Sequence, residues 1–154
     1  MRRICMLTMA VALLAPMVVL TAGSAGAATG VQCTKEAGVV NLKTQIDTST
    51  ESGCTPVSAT GGSGKTVVKI TAKASTTVWS GGKGTSIVTT ISENAGPKVN
   101  KCPKGDTLLL IVGKITGGTG AALKAMPKGQ AVTTDVCLAK NDTSSLEPGT
   151  VAKY

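Results

Sequence analysis

Apolar positions fall in two different arrangements along this chain. From Ile4 to Leu20 they form an almost continuous run, broken at Pro16. Beyond residue 28 they come in short, β-branched segments punctuated by glycine and proline, the pattern of an all-β domain rather than a helical one. This pattern predicts strands at 39–46, 66–74, 76–80, 85–92, 107–116, 131–139 and 150–153. Segment 66–74 shows the reasoning. At period two, Val68, Ile70, Ala72 and Ala74 share one face, while Val67, Lys69, Thr71 and Lys73 share the other. A helix would also align Lys65, Lys69 and Lys73, so composition decides: Thr66, Val67, Val68, Ile70 and Thr71 are β-branched, which favours strand.

The strongest local signal lies between Thr76 and Ser92. Two β-type runs flank Gly81-Gly82-Lys83-Gly84, and glycine supplies the positive φ angles of a tight hairpin turn. Trp79, the single tryptophan in a chain without phenylalanine, is expected in the core. Leu108 to Val112 is continuously apolar and predicts a central strand buried on both faces. Ala121 to Met126, ended by Pro127, predicts the one helical turn. Residues 47–64 and 140–150 are rich in Ser, Thr, Gly and Pro and read as loops. The fold expected is all-β, a single small sandwich or barrel of about seven strands with two disulfides.

The N-terminal run has its own meaning. Arg2 and Arg3 precede it, and Ala25-Gly26-Ala27 follows, the three-part layout of a secretory signal peptide cut after Ala27. A bilayer span needs roughly 20 apolar residues, and this run is shorter. No cysteine follows it for lipid attachment. The reading is a signal peptide at 1–27, a β-rich domain at 28–154, no membrane span after processing, and a secreted location with contact to the cell wall as an option.

Export changes the meaning of the cysteines. Cys33, Cys54, Cys102 and Cys137 remain after processing, an even number in an oxidising compartment, and so read as two disulfides. Four cysteines allow three pairings. The neighbour pairing, Cys33 with Cys54 and Cys102 with Cys137, closes the shortest loops and is the one expected. A zinc site would need all four at scattered spacing, since the chain has no histidine. No metal and no cofactor are expected.

Charge adds little that is specific. The full chain carries a formal +8, and all of its arginine lies at positions 2 and 3. Nucleic-acid sites lean on arginine forks and stacking aromatics; with Trp79 and Tyr154 as its only aromatics, the domain is not expected to bind nucleic acid. The lysines read first as solvated strand faces that discourage edge pairing. The stripe Lys65, Lys69, Lys73 is a candidate contact for an anionic envelope polymer. Lys98, Lys101 and Lys104, around Cys102, form a candidate partner loop of the sort a protease inhibitor presents.

Two motifs invite over-reading. Ala59-Thr-Gly-Gly-Ser-Gly-Lys-Thr66 approximates a phosphate-cradling loop, but such a loop needs a strand before it and a helix after it. Here a strand follows. Ser80-Gly-Gly-Lys83 mimics a Ser–Lys dyad but falls in the predicted turn. Without histidine the common nucleophile–base pairs are impossible. Paired carboxylates would have to come from residues such as Glu93, Asp106 and Asp135, which nothing in the sequence brings together. No catalytic residue is assigned.

Val78-Trp-Ser-Gly-Gly-Lys-Gly-Thr-Ser86, Gly113-Lys-Ile-Thr-Gly-Gly-Thr-Gly120, Val136-Cys137 and Leu146-Glu-Pro-Gly-Thr150 carry a resemblance to small exported actinobacterial proteins of uncharacterised function. It implies a secreted β-domain with paired cysteines and no catalytic or binding residues. The subtilisin-inhibitor type and the antitumour chromoprotein carriers are similar in β character, though their cysteines are more tightly spaced. The functional expectation is a non-enzymatic secreted or envelope-associated protein. The alternative is an extracellular binding module, either a protease inhibitor or a carrier of a small apolar ligand.

Overall fold

In the computed structural model, which describes residues 30–95 and 100–154, the chain closes on itself. Its elements are β1 (Gln32–Asn41), β2 (Ile46–Thr55), α1 (Val57–Thr60), β3 (Ser63–Lys69), β4 (Ala74–Trp79), β5 (Gly84–Ala95), β6 (Thr107–Gly118), α2 (Gly120–Ala125), β7 (Ala131–Leu138), β8 (Thr143–Leu146) and β9 (Ala152–Lys153). Successive strands from β1 to β8 pair antiparallel, and β8 returns to β1 through Ala37↔Ser145 and Val39↔Thr143. The result is an eight-stranded up-and-down barrel. Strand β9 is additional, pairing with β1 at Gln32↔Lys153 and with β7 at Thr133↔Lys153. Closure gives every strand two partners and leaves no long bare edge.

The turns follow from local chemistry. Gly81 and Gly82, at φ 62° and 68°, make the β4–β5 hairpin expected from the glycine run. The β1–β2 turn has no glycine. Instead the Asn41 side-chain carbonyl accepts the backbone N–H groups of Lys43 and Thr44 at 3.1 Å each. Both disulfides take the neighbour pairing. Cys33 and Cys54 sit directly opposite each other on β1 and β2 with Cα atoms 4.0 Å apart, and Cys102 joins Cys137 on β7. These bridges point to an oxidising, extracytoplasmic compartment. Among the described residues, no helix is long and apolar enough to cross a membrane.

Several sequence expectations need correction. Residues 39–46 are not one strand: β1 ends at Asn41, a turn follows, and β2 begins at Ile46. Residues 47–64, read as a loop, hold most of β2, all of α1 and the start of β3. Residues 66–74 are not continuous either, because β3 stops at Lys69 and a turn at 70–73 leads into β4. Within 140–150, β8 forms part of the barrel wall. The run Leu108 to Val112 is less enclosed than expected: Leu108 is buried, whereas Leu109 and Ile111 border the lumen chambers and are half-buried, as are Leu110 and Val112. The reading of 1–27 as a signal peptide lies outside the described residues.

Among the described residues, the barrel has one end plugged by helices and one end without them. Helices α1 and α2 and the β4–β5 turn lie at the plugged end, where Val31, Trp79, Ile115, Ala122 and Met126 are at most 2 % exposed. Trp79 is therefore core, as expected. Its Nε1–H donates to Ser86 Oγ at 3.1 Å, and its ring meets that of Tyr154 edge to face at 5.5 Å. Gly64 makes room for it: a Cβ there would stand 2.9 Å from the indole ring. The turns at 42–45, 70–73 and 139–142 surround the opposite end.

Candidate functional site

Strand alternation decides what the lumen contains. On β2 the inward positions are Asp47, Ser49 and Glu51, all buried, while Thr48 and Thr50 face outward. On β3 and β4 they are Thr66, Val68, Ser75 and Thr77. On β1, Glu36 lies directly across from Glu51 in the antiparallel register. A small inner chamber of about 50 Å³ is lined by the three acids, by Ser49, Thr66, Ser75 and Thr134, and by Val68, Val132 and Tyr154 among others. A larger chamber of about 240 Å³ lies toward the open end, walled mainly by Val40, Leu42, Ile70, Leu109, Val136 and Leu138. Asp47, Val68 and Ile111 border both chambers and form the neck between them. Among the described residues, none that lines either chamber is basic.

Glu51 organises the inner chamber. It is 2 % exposed, and its Oε1 accepts the hydroxyls of Thr66 at 2.6 Å and Tyr154 at 2.7 Å. Thr66 also shares a 2.7 Å hydrogen bond with Thr77. The second oxygen, Oε2, is buried without a hydrogen-bond partner. Burial pushes the Glu51 carboxyl above the usual range, and the bonds from Thr66 and Tyr154 act against that rise. Glu36 is pushed up to about 8, first by burial and then by the facing Glu51 and Asp47. Tyr154 is raised further still, by burial and by the negative charge of Glu51. Two acids opposite one another cannot both ionise cheaply in such a place, so the pair holds a proton at neutral pH.

These acids were not foreseen. The carboxylates singled out from the sequence were Glu93, Asp106 and Asp135, whereas the structure brings together Glu36, Asp47 and Glu51. The signal was present as the alternation Asp47-x-Ser49-x-Glu51. With Thr48 and Thr50 between them, both faces were polar and nothing marked one as inward. Among the described residues, no three potential ligands converge on a point that could hold a metal ion.

The lysines chosen from the sequence do not converge here. Lys65 and Lys69 stand exposed on the outer face of β3, while Lys73 has left the strand and occupies the following turn at φ 49°. In the second group Lys101 and Lys104 are exposed, and the Lys101 backbone N–H donates to buried Glu147 Oε1 at 2.7 Å. Lys98 lies outside the described residues. Lys65 of the phosphate-loop lookalike points outward from a strand, and Ser80 and Lys83 flank the hairpin turn.

No known family, curated relative or solved structure matches this chain.

Proposed function

We propose that this is an exported, non-enzymatic binding barrel that carries a small apolar molecule in its open end. The observation that supports it is the chamber of about 240 Å³, walled by aliphatic side chains at the end of the barrel opposite α1 and α2. With the inner chamber it approaches the lower bound of ordinary ligand sites, about 300–1,000 Å³. Aliphatic side chains left half-buried around a concavity gain their burial when an apolar ligand arrives. The N-terminal signal-peptide pattern and the two disulfides support an extracellular place of work.

The test is binding of the neutral apolar dye N-phenyl-1-naphthylamine, followed by its fluorescence. Wild type should enhance and blue-shift the emission, and Leu109→Asp should lower the affinity at least tenfold. No enhancement by folded wild type would overturn the carrier reading. A second reading, contact with an anionic envelope polymer, is supported by the exposure of Lys65 and Lys69 on one outer face. It requires salt-sensitive co-sedimentation with cell-wall fractions that a Lys65/Lys69/Lys73→Gln variant loses.

A further inference from the structure

We infer that the carried molecule ends in a primary ammonium group, which enters the inner chamber and is held between Glu36 and Glu51. This rests on the carrier reading and assigns the ligand its chemistry. Glu51 Oε1 is already taken by Thr66 and Tyr154, and its Oε2 is an acceptor with no donor in a wall it cannot leave. A buried acceptor left unmade costs about 1–3 kcal/mol, and more when it is charged. Among the described residues lining the chamber, none is a base that could offset it.

The size and shape of the chamber select among donors. About 50 Å³ admits one or two waters or a head group of similar bulk, since a water occupies about 30 Å³ of liquid. A guanidinium needs a planar fork of two free oxygens, and one oxygen of Glu51 is engaged. An ammonium is compact, brings three donors, and supplies a positive charge between the two acids. A carboxylate or phosphate head would be repelled by Glu36, Asp47 and Glu51. The aliphatic walls of the outer chamber, reached through the neck at Asp47, take the rest of the molecule.

Binding of this kind moves a proton. The titratable groups facing Glu36 are Glu51 and Asp47 from β2 and Tyr154 from the C-terminal segment. Glu36 keeps its proton in the empty barrel at neutral pH. An ammonium beside it favours the carboxylate, so the proton leaves to solvent as the ligand enters. Affinity for an amine therefore rises with pH from 6 to 8, by up to tenfold per unit.

The experiment titrates octylamine, octanol and octanoate into wild type, Glu36→Gln and Glu51→Gln by calorimetry at pH 7.5, in two buffers of different ionisation enthalpy. Octylamine should bind wild type at least tenfold more tightly than octanol, with proton release, and octanoate most weakly. Glu36→Gln should abolish the proton release and bring the affinity for octylamine close to that for octanol. Glu51→Gln should do the same to affinity if it folds; Glu36→Gln carries the test if it does not. If octanol and octylamine bind alike, the ammonium inference falls and the carrier stands. If all three bind equally tightly to Leu109→Asp, or none binds wild type, the carrier reading falls first and the inference with it.

Discussion

The same strands build both ends of this barrel, yet the ends differ in what their apolar residues do. At the plugged end Trp79, Ile115 and Met126 are nearly or fully enclosed, and their contacts are with one another and with α1 and α2. At the mouth, side chains of the same class stay open to solvent, with Leu42 58 % exposed. Enclosed apolar surface stabilises a fold, while open apolar surface arranged around a cavity contributes little until something fills it. Between the two lies a polar layer of Thr, Ser and Glu, so the lumen is a stack of core, acid pair and vestibule.

The largest test of that division is Trp79→Ala. Removing a wholly enclosed indole should cost about 3–5 kcal/mol in urea denaturation. A loss below about 1 kcal/mol would mean that the plug does not hold the barrel. Next comes the staple beside it. A Cys33→Ala/Cys54→Ala variant should lose roughly 3 kcal/mol on the chain-entropy model, and the denatured domain of residues 28–154, which lacks Cys5, should show no free thiol; two or more reactive thiols in that domain when native would break the assignment of both bridges.

The acid layer should respond to pH. Glu36 binds its proton more tightly in the folded chain than in the unfolded one, so its contribution to stability is complete below about pH 4.5 and is lost as pH rises through about 8. Stability should fall across that window with a slope of at most about 1.4 kcal/mol per pH unit for one proton. Glu36→Gln should flatten the slope; an unchanged slope would place the titration elsewhere. The smallest effect on stability belongs to the mouth. Leu109→Ser should change unfolding free energy by no more than about 1 kcal/mol while weakening dye binding at least tenfold. Equal loss of both would erase the distinction between the two ends.

How readable each layer was in the sequence follows from its chemistry. The hairpin at Gly81–Gly82, the core place of Trp79 and the neighbour disulfides depend on local geometry or on cysteine parity, and all are seen in the structure. Strand β2 was missed because its lumen face, Asp47, Ser49 and Glu51, is as polar as its solvent face. A strand lining a polar cavity loses the alternation by which strands are recognised. The break at Ile70–Lys73 was hidden for a different reason: its positive φ is carried by Lys73, not by a glycine. The pairing of Glu36 with Glu51 depends on the register of two strands joined by a turn without glycine, so it became visible only with the fold.

Strand β1 also sets an order of events. It is the first strand, and its partners are β2, next in the chain, and β8 and β9, the last two. Local hairpins from β2 to β7 can form while the chain is still growing, because each needs only its neighbour. The barrel cannot shut until the segment from Thr143 to Tyr154 has arrived. Tyr154 then delivers both the ring that meets Trp79 and the hydroxyl that meets Glu51. Closure across almost the whole chain is slow relative to hairpin formation. The acid pair therefore acquires its last hydrogen bond, and the chamber its last wall, only as folding finishes.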